Sequence, residues 1–142
     1  MTGLEKVYSY AKDQRIFVHF GEIGFAKAIT VKDGDYFNIA VDRAAASGET
    51  GECALLIHEL AHIATGSFYF HDTPIVQKRR QEERAFRWSA QFCVPPDKIQ
   101  SAIKSGITKV YELAEFFDVS EEYLNSCLKY YKGAKNISFQ GS

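Results

Sequence analysis

The stretch His58-Glu59-Leu60-Ala61-His62 limits what this chain can fold into more than any other feature. It reads H-E-x-x-H within an apolar run, Cys53-Ala54-Leu55-Leu56-Ile57 before it and Ile63-Ala64 after it. The run has no Gly or Pro and mostly good helix formers, so the sequence predicts a helix from about residue 52 to 65. Residues four apart share a helix face, so both imidazoles point the same way and can hold one Zn²⁺. Glu59 lies about 100° round from His58, within reach of a water at the metal without itself coordinating. That pattern points to metal-assisted hydrolysis with Glu59 as general base. The plainer reading is a buried helix with one satisfied histidine and an exposed His-Glu pair. Against it, a helix apolar on nearly all sides should be buried, and two histidines and a glutamate inside it need partners.

The remaining chain has to supply a third ligand and a scaffold. At 142 residues it suits one domain with a real core, and 46% hydrophobic with 25% charged residues is ordinary for a globular protein. A net charge of −1 gives no global field to recruit nucleic acid or an anionic membrane. No apolar run approaches the ~20 residues that span a bilayer. The first residues lack the layout of a signal peptide, and Cys53, Cys93 and Cys127 read as buried free thiols. A cytoplasmic, reduced protein is expected.

Leu4, Val7, Tyr8 and Ala11 recur at helical spacing, predicting an amphipathic helix over 3–13. Residues 16–20, 26–32 and 36–41 are β-branched and aromatic and read as strands, the last two joined by a hairpin at Asp33-Gly34. A small antiparallel sheet is expected. If the third strand has an exposed edge there, it can take up peptide backbone by strand addition; a strand that only covers the core is the competing reading. His19 stands alone and reads as a satisfied strand histidine. Ser47 or Thr50 can cap the metal helix, and Gly66 can close it in a left-handed conformation.

The aromatic loop Ser67-Phe68-Tyr69-Phe70-His71 follows the second motif histidine. Tyr69 or His71 can donate a hydrogen bond to an oxyanion, unless these rings only pack. His71 is also a second-ranked candidate for the third metal ligand. Residues 75–93 form a charged helix that offers two adjacent carboxylates. At about 100° per residue, Glu82 lies at the centre of the face carrying Ala85, Phe86, Ser89, Phe92 and Cys93. Glu83 falls on its edge, towards Arg80, Arg84 and Arg87. A carboxylate on an inward face needs a partner, so Glu82 is preferred over Glu83 as the ligand. Val94-Pro95-Pro96 stops this helix. Residues 97–104 form a short helix. Residues 107–131 then read as a helix-turn-helix-like pair, whose second helix begins Ser120-Glu121-Glu122, an acidic start that phosphates repel. No direct nucleic-acid binding is expected. One domain over 1–132 and a flexible tail over 133–142 complete the reading, with no signal for an oligomeric state.

His58-Glu59-Leu60-Ala61-His62, Thr65-Gly66-Ser67-Phe68-Tyr69, Glu82-x-x-Ala85-x-x-Trp88-Ser89, Val94-Pro95, Tyr111-Glu112-Leu113-Ala114 and Val119-Ser120, in that order, resemble the ImmA/IrrE family of metallopeptidases. Many members have Gly where this chain has Ala61. The resemblance implies an α+β, compact zincin-like domain of the gluzincin kind, with the three-stranded sheet packed on the H-E-x-x-H helix and further helices around it. It implies His58, His62 and Glu82 as zinc ligands and Glu59 as general base, in agreement with the helical-face argument. It also implies a protein substrate, a helix-turn-helix repressor of a prophage, mobile element or stress regulon. The alternative is a non-catalytic module that binds a repressor or antitoxin-like partner, with a structural or vestigial zinc site.

Overall fold

The computed structural model describes residues 2–70, 72–135 and 137–139. Among them the chain forms α1 (Gly3–Asp13), β1 (Phe17–Phe20), β2 (Ala28–Asp33), β3 (Tyr36–Val41), α2 (Gly48–Thr65), α3 (Ile75–Cys93), α4 (Pro96–Lys104), α5 (Val110–Phe117) and α6 (Glu121–Gly133). It divides into two compact units, Met1–Trp88 and Ser89–Ser142, and α3 runs through the boundary. No helix among the described residues is long and apolar enough to cross a membrane.

In the first unit, α1 begins where Thr2 accepts a hydrogen bond from the Glu5 N–H at 3.1 Å. Its inward residues Val7 and Ala11 are buried, and the helix packs along α2. On β3, Ile39 and Val41 share a face and are fully buried, as period-2 alternation requires. α2 lies against β3 and β2 and buries Leu56, Ile57, Leu60 and Ala61.

The sheet corrects two expectations. It is mixed rather than antiparallel: its strand order is β1-β3-β2, with β1 parallel and β2 antiparallel to β3. The hairpin signal was sound, since Asp33 pairs with Tyr36 and Gly34 turns the chain at φ 62°, where a side chain would be strained. It fixes only β2 against β3, however. Val41 is flanked by Phe20 on one side and Ala28 on the other. Residues 21–27 therefore bridge two strand spacings, roughly 10 Å, across the end of β3. β1 is thereby left running the same way as β3. β3 is consequently the central strand, and the open edges belong to β1 and β2. Of the two readings left open for the third strand, the exposed edge is therefore excluded.

α2 starts about a turn earlier than predicted. Ser47 takes the N-cap position but makes no side-chain capping bond. The helix is also less enclosed than its composition suggested, since Ala54 and His58 are exposed. At its other end Gly66 adopts φ 63°, the left-handed cap expected of it.

The second unit holds α4, α5, α6 and the last residues of α3. Ile99, Leu113, Leu124, Cys127 and Tyr131 are buried there. α5 and α6 pack together as a pair. Asp118 turns between them at φ 57°, and Ser120 caps α6 by accepting from the Tyr123 N–H at 3.1 Å. The first turn of α6 carries Glu121 and Glu122. Beyond α6, the Ile137 N–H donates to the Tyr131 carbonyl at 2.8 Å and the Phe139 ring lies 6.4 Å from that of Tyr131.

Candidate metal centre

α2 and α3 bring His58, His62 and Glu82 to one point, all within the first unit. One turn of α2 separates the histidines and sets their rings edge to face, 4.7 Å between centroids. Their Nε2 atoms are 3.3 Å apart. Glu82 reaches both with a single carboxylate: Oε2 lies 2.9 Å from His58 Nε2 and Oε1 lies 3.0 Å from His62 Nε2. Ligands ~2.05 Å from a tetrahedral zinc stand roughly 3.3 Å from one another. The three separations are close to that size, with Glu82 presenting a different oxygen to each histidine.

The protonation of His62 sharpens the case. Its Nδ1 lies 2.5 Å from the Ser67 backbone carbonyl, which can only accept, so Nδ1 carries the proton. In the neutral ring Nε2 then presents a lone pair. That lone pair faces a carboxylate oxygen at 3.0 Å and another imidazole nitrogen at 3.3 Å. The His62 lone pair and the Glu82 oxygen are two acceptors aimed at each other, and they repel unless a cation sits between them. The donor set therefore suits a divalent metal.

Local backbone geometry produces the Ser67 contact. Gly66 reverses the chain at the end of α2, and the Ser67 N–H donates back to the His62 carbonyl at 3.1 Å. This brings the fully buried Ser67 to the Nδ1 edge of His62. The Thr65 hydroxyl bonds that of Ser67, and Arg84 on α3 donates to the Thr65 carbonyl at 3.0 Å. The end of α2 is thus tied to the helix that carries Glu82.

The site is open on one side. The His58 side chain is 54% exposed and that of Glu82 38%, whereas that of His62 is 8% exposed. Burial works against the charge on Glu82, but hydrogen bonds with His58 and Tyr69 and the nearby imidazoles outweigh it. The carboxyl is held below its usual range and stays ionised. Glu83 turns away and accepts from Arg87 at 2.6 Å, one turn further along α3. Of the two neighbours, Glu82 is the one whose carboxylate the structure brings beside the histidines.

Glu59 is half-buried beside the triad and its Oε2 accepts from the Thr30 hydroxyl on β2 at 2.7 Å. Tyr69 is also brought in: its hydroxyl donates to Glu82 Oε1 at 2.8 Å. That bond, with burial and the charges of Glu82 and Glu59, raises the phenol's pKa and keeps it a donor. The phenol's partner here is the carboxylate of the triad. His71, the second candidate for an oxyanion donor or third ligand, lies outside the described residues.

Two features escaped the sequence reading. Thr30 was a strand residue with no assigned task; a polar residue amid Ala28-Ile29-Val31 was the available signal. Glu52, in the same apolar run as the motif, is buried and accepts from Tyr8 at 2.7 Å and from Arg43 at 2.6 Å. Burial opposes its charge, yet these two partners hold its pKa below the usual range. The guanidinium of Arg43 also lies 3.7 Å over the Phe20 ring. This network fixes the start of α2 to α1 and to the loop after β3.

Among known proteins, no curated sequence and no solved structure matches this chain. The sequence model for the IrrE N-terminal-like domain matches residues 38–129. That span covers more than half of the chain and includes both motif histidines, Glu82, α5 and all but the last four residues of α6. With the motif, its order along the chain and the converging donor atoms in agreement, the chain belongs to the IrrE N-terminal-like family of metallopeptidase-like domains.

Proposed function

We propose that this protein is a zinc-dependent endopeptidase that cuts a regulatory protein, with a helix-turn-helix repressor as its substrate. The observation that carries the reading is the approach of His58 Nε2, His62 Nε2 and one Glu82 carboxylate to within 2.9–3.3 Å of each other, with Glu59 adjacent on the same helix. The ligands are His58, His62 and Glu82; a zinc ion held there supplies Lewis-acid polarisation of a carbonyl and a lowered pKa for water.

The chain's own residues do the rest. Glu59 accepts the proton of the attacking water and passes it to the leaving amine. The Thr30 hydroxyl holds one oxygen of that carboxylate, leaving the other to act as the base. Ser67 fixes the His62 tautomer through its carbonyl. Tyr69, kept protonated by its surroundings, orients Glu82 and is the donor placed to turn towards a developing oxyanion. The exposed flank at His58 is the side from which a polypeptide enters.

The test pairs zinc-loaded wild type with Glu59→Gln, each incubated with helix-turn-helix repressors of the same genome and read by mass spectrometry. Cleavage by wild type alone supports the assignment. Repressors all left intact by both proteins, or equal cleavage by both, overturn it. Binding of a repressor without cutting would move the function to a non-catalytic interaction module.

A further inference from the structure

The first unit carries a second concave feature, unconnected with the triad. A cleft of about 580 Å³ lies between α1 and the start of β1, a size typical of ligand sites. β1 is an edge strand, with no strand partner on its outer side among the described residues. Ile16, Phe17 and Val18 all line the cleft. Phe17 and Val18 open β1 and point to opposite faces of the sheet, and Tyr36 of β3 joins them, so the cleft lies around the start of this edge strand. An unpaired edge is a template for another strand.

The walls define what that strand must look like. Phe17 and Tyr36 are about half exposed, and their rings lie 5.8 Å apart at 60°. Tyr8 adds a third aromatic from α1. Lys12 and Arg15 contribute two cations, and no carboxylate lines the cleft. Neither cation takes part in an ion pair among the described residues. Arg15 is held at φ 57°, a conformation that strains a residue with a Cβ. The bonds Arg15 N–H to Lys12 carbonyl (3.1 Å) and Ile16 N–H to Ala11 carbonyl (2.8 Å) fix that turn at the cleft's rim.

We propose that the β1 edge docks an extended, acidic segment of a partner protein. The segment pairs its backbone with β1. Its apolar side chains pack against Tyr8, Phe17 and Tyr36, and its carboxylates meet Lys12 and Arg15. This surface is distinct from the metal centre, where Glu59 is bonded to Thr30 on β2, the opposite edge strand. The inference does not depend on hydrolysis at that centre.

The experiment uses the full chain carrying Glu59→Gln, labelled with ¹⁵N, so that no probe is consumed. It is titrated with a capped hexapeptide alternating valine or phenylalanine with glutamate, and with its lysine counterpart. The glutamate peptide should shift amide signals of residues 8–18 and Tyr36 and bind at least tenfold more tightly than the lysine peptide. Lys12→Glu with Arg15→Glu should reverse that preference, and the paired Gln substitutions should abolish it. Equal binding of the two peptides, or shifts confined to other residues, would overturn the proposal. So would 4-phenylbutyrate giving the same shifts with the same affinity, which would assign the cleft to small anions.

Discussion

Removing one hydroxyl, in Tyr8→Phe, tests whether the metal helix is anchored as the structure indicates. The substitution keeps the ring and deletes a 2.7 Å hydrogen bond to the buried, ionised Glu52. A hydrogen bond to a charged group contributes roughly 1.5–3 kcal/mol when fully enclosed, and the half-buried setting of Tyr8 reduces that to about 1–2 kcal/mol. For a chain of this size the loss corresponds to a fall in Tm of about 2–8 °C. The effect should also depend on pH. The folded-state pKa of Glu52 is depressed, so its contribution is fully present above the unfolded carboxylate value and is lost as pH falls through the folded value. Thermal denaturation of wild type and Tyr8→Phe, followed by circular dichroism from pH 7 down to pH 3, should show a gap that narrows in acid. Equal Tm values at pH 7, or a gap unchanged at pH 3, would refute the role given to this network.

Other substitutions probe the site itself. Gly66→Ala forces a Cβ into a left-handed position at φ 63°, costing about 1 kcal/mol, and by displacing Ser67 it should weaken zinc binding roughly tenfold in a competitive chelator titration. Thr30→Val should leave zinc content unchanged and lower kcat, since among the described residues of the site the hydroxyl bonds the Glu59 carboxylate and not a metal ligand; a loss of zinc would contradict that placement. Tyr69→Phe should retain zinc and reduce kcat by about tenfold or more with little change in KM if the phenol serves the oxyanion, whereas an unchanged kcat would confine it to packing and orientation.

The parts of the fold legible in the sequence are those governed by local periodicity. α1, β3 and α3 lie where spacing placed them because each has one apolar face and clear punctuation at its ends. Glu82 was readable for the same reason: a carboxylate at the centre of an apolar face is an anomaly that a single helix reveals. The order of the strands was not, since a hairpin signal says nothing about which side of the hairpin a preceding strand will join. Thr30 and the Ser67 carbonyl also lay beyond reach. One acts from a neighbouring strand through a tertiary contact, and the other acts through main chain, which the side-chain alphabet does not encode. Glu52 was visible as a charge in an apolar run, but its partners Tyr8 and Arg43 are 44 and 9 residues away.

The account rests on three side chains forming one metal centre, and metal content tests that most directly. Purified wild type, Glu82→Gln and Glu83→Gln should be reconstituted with zinc, freed of excess and measured by plasma mass spectrometry. About one zinc per chain is expected for wild type and for Glu83→Gln, whose carboxylate pairs with Arg87 instead, with zinc lost or greatly weakened in Glu82→Gln. Wild type that takes up no zinc, or Glu82→Gln that holds it as tightly as wild type, would contradict the central claim.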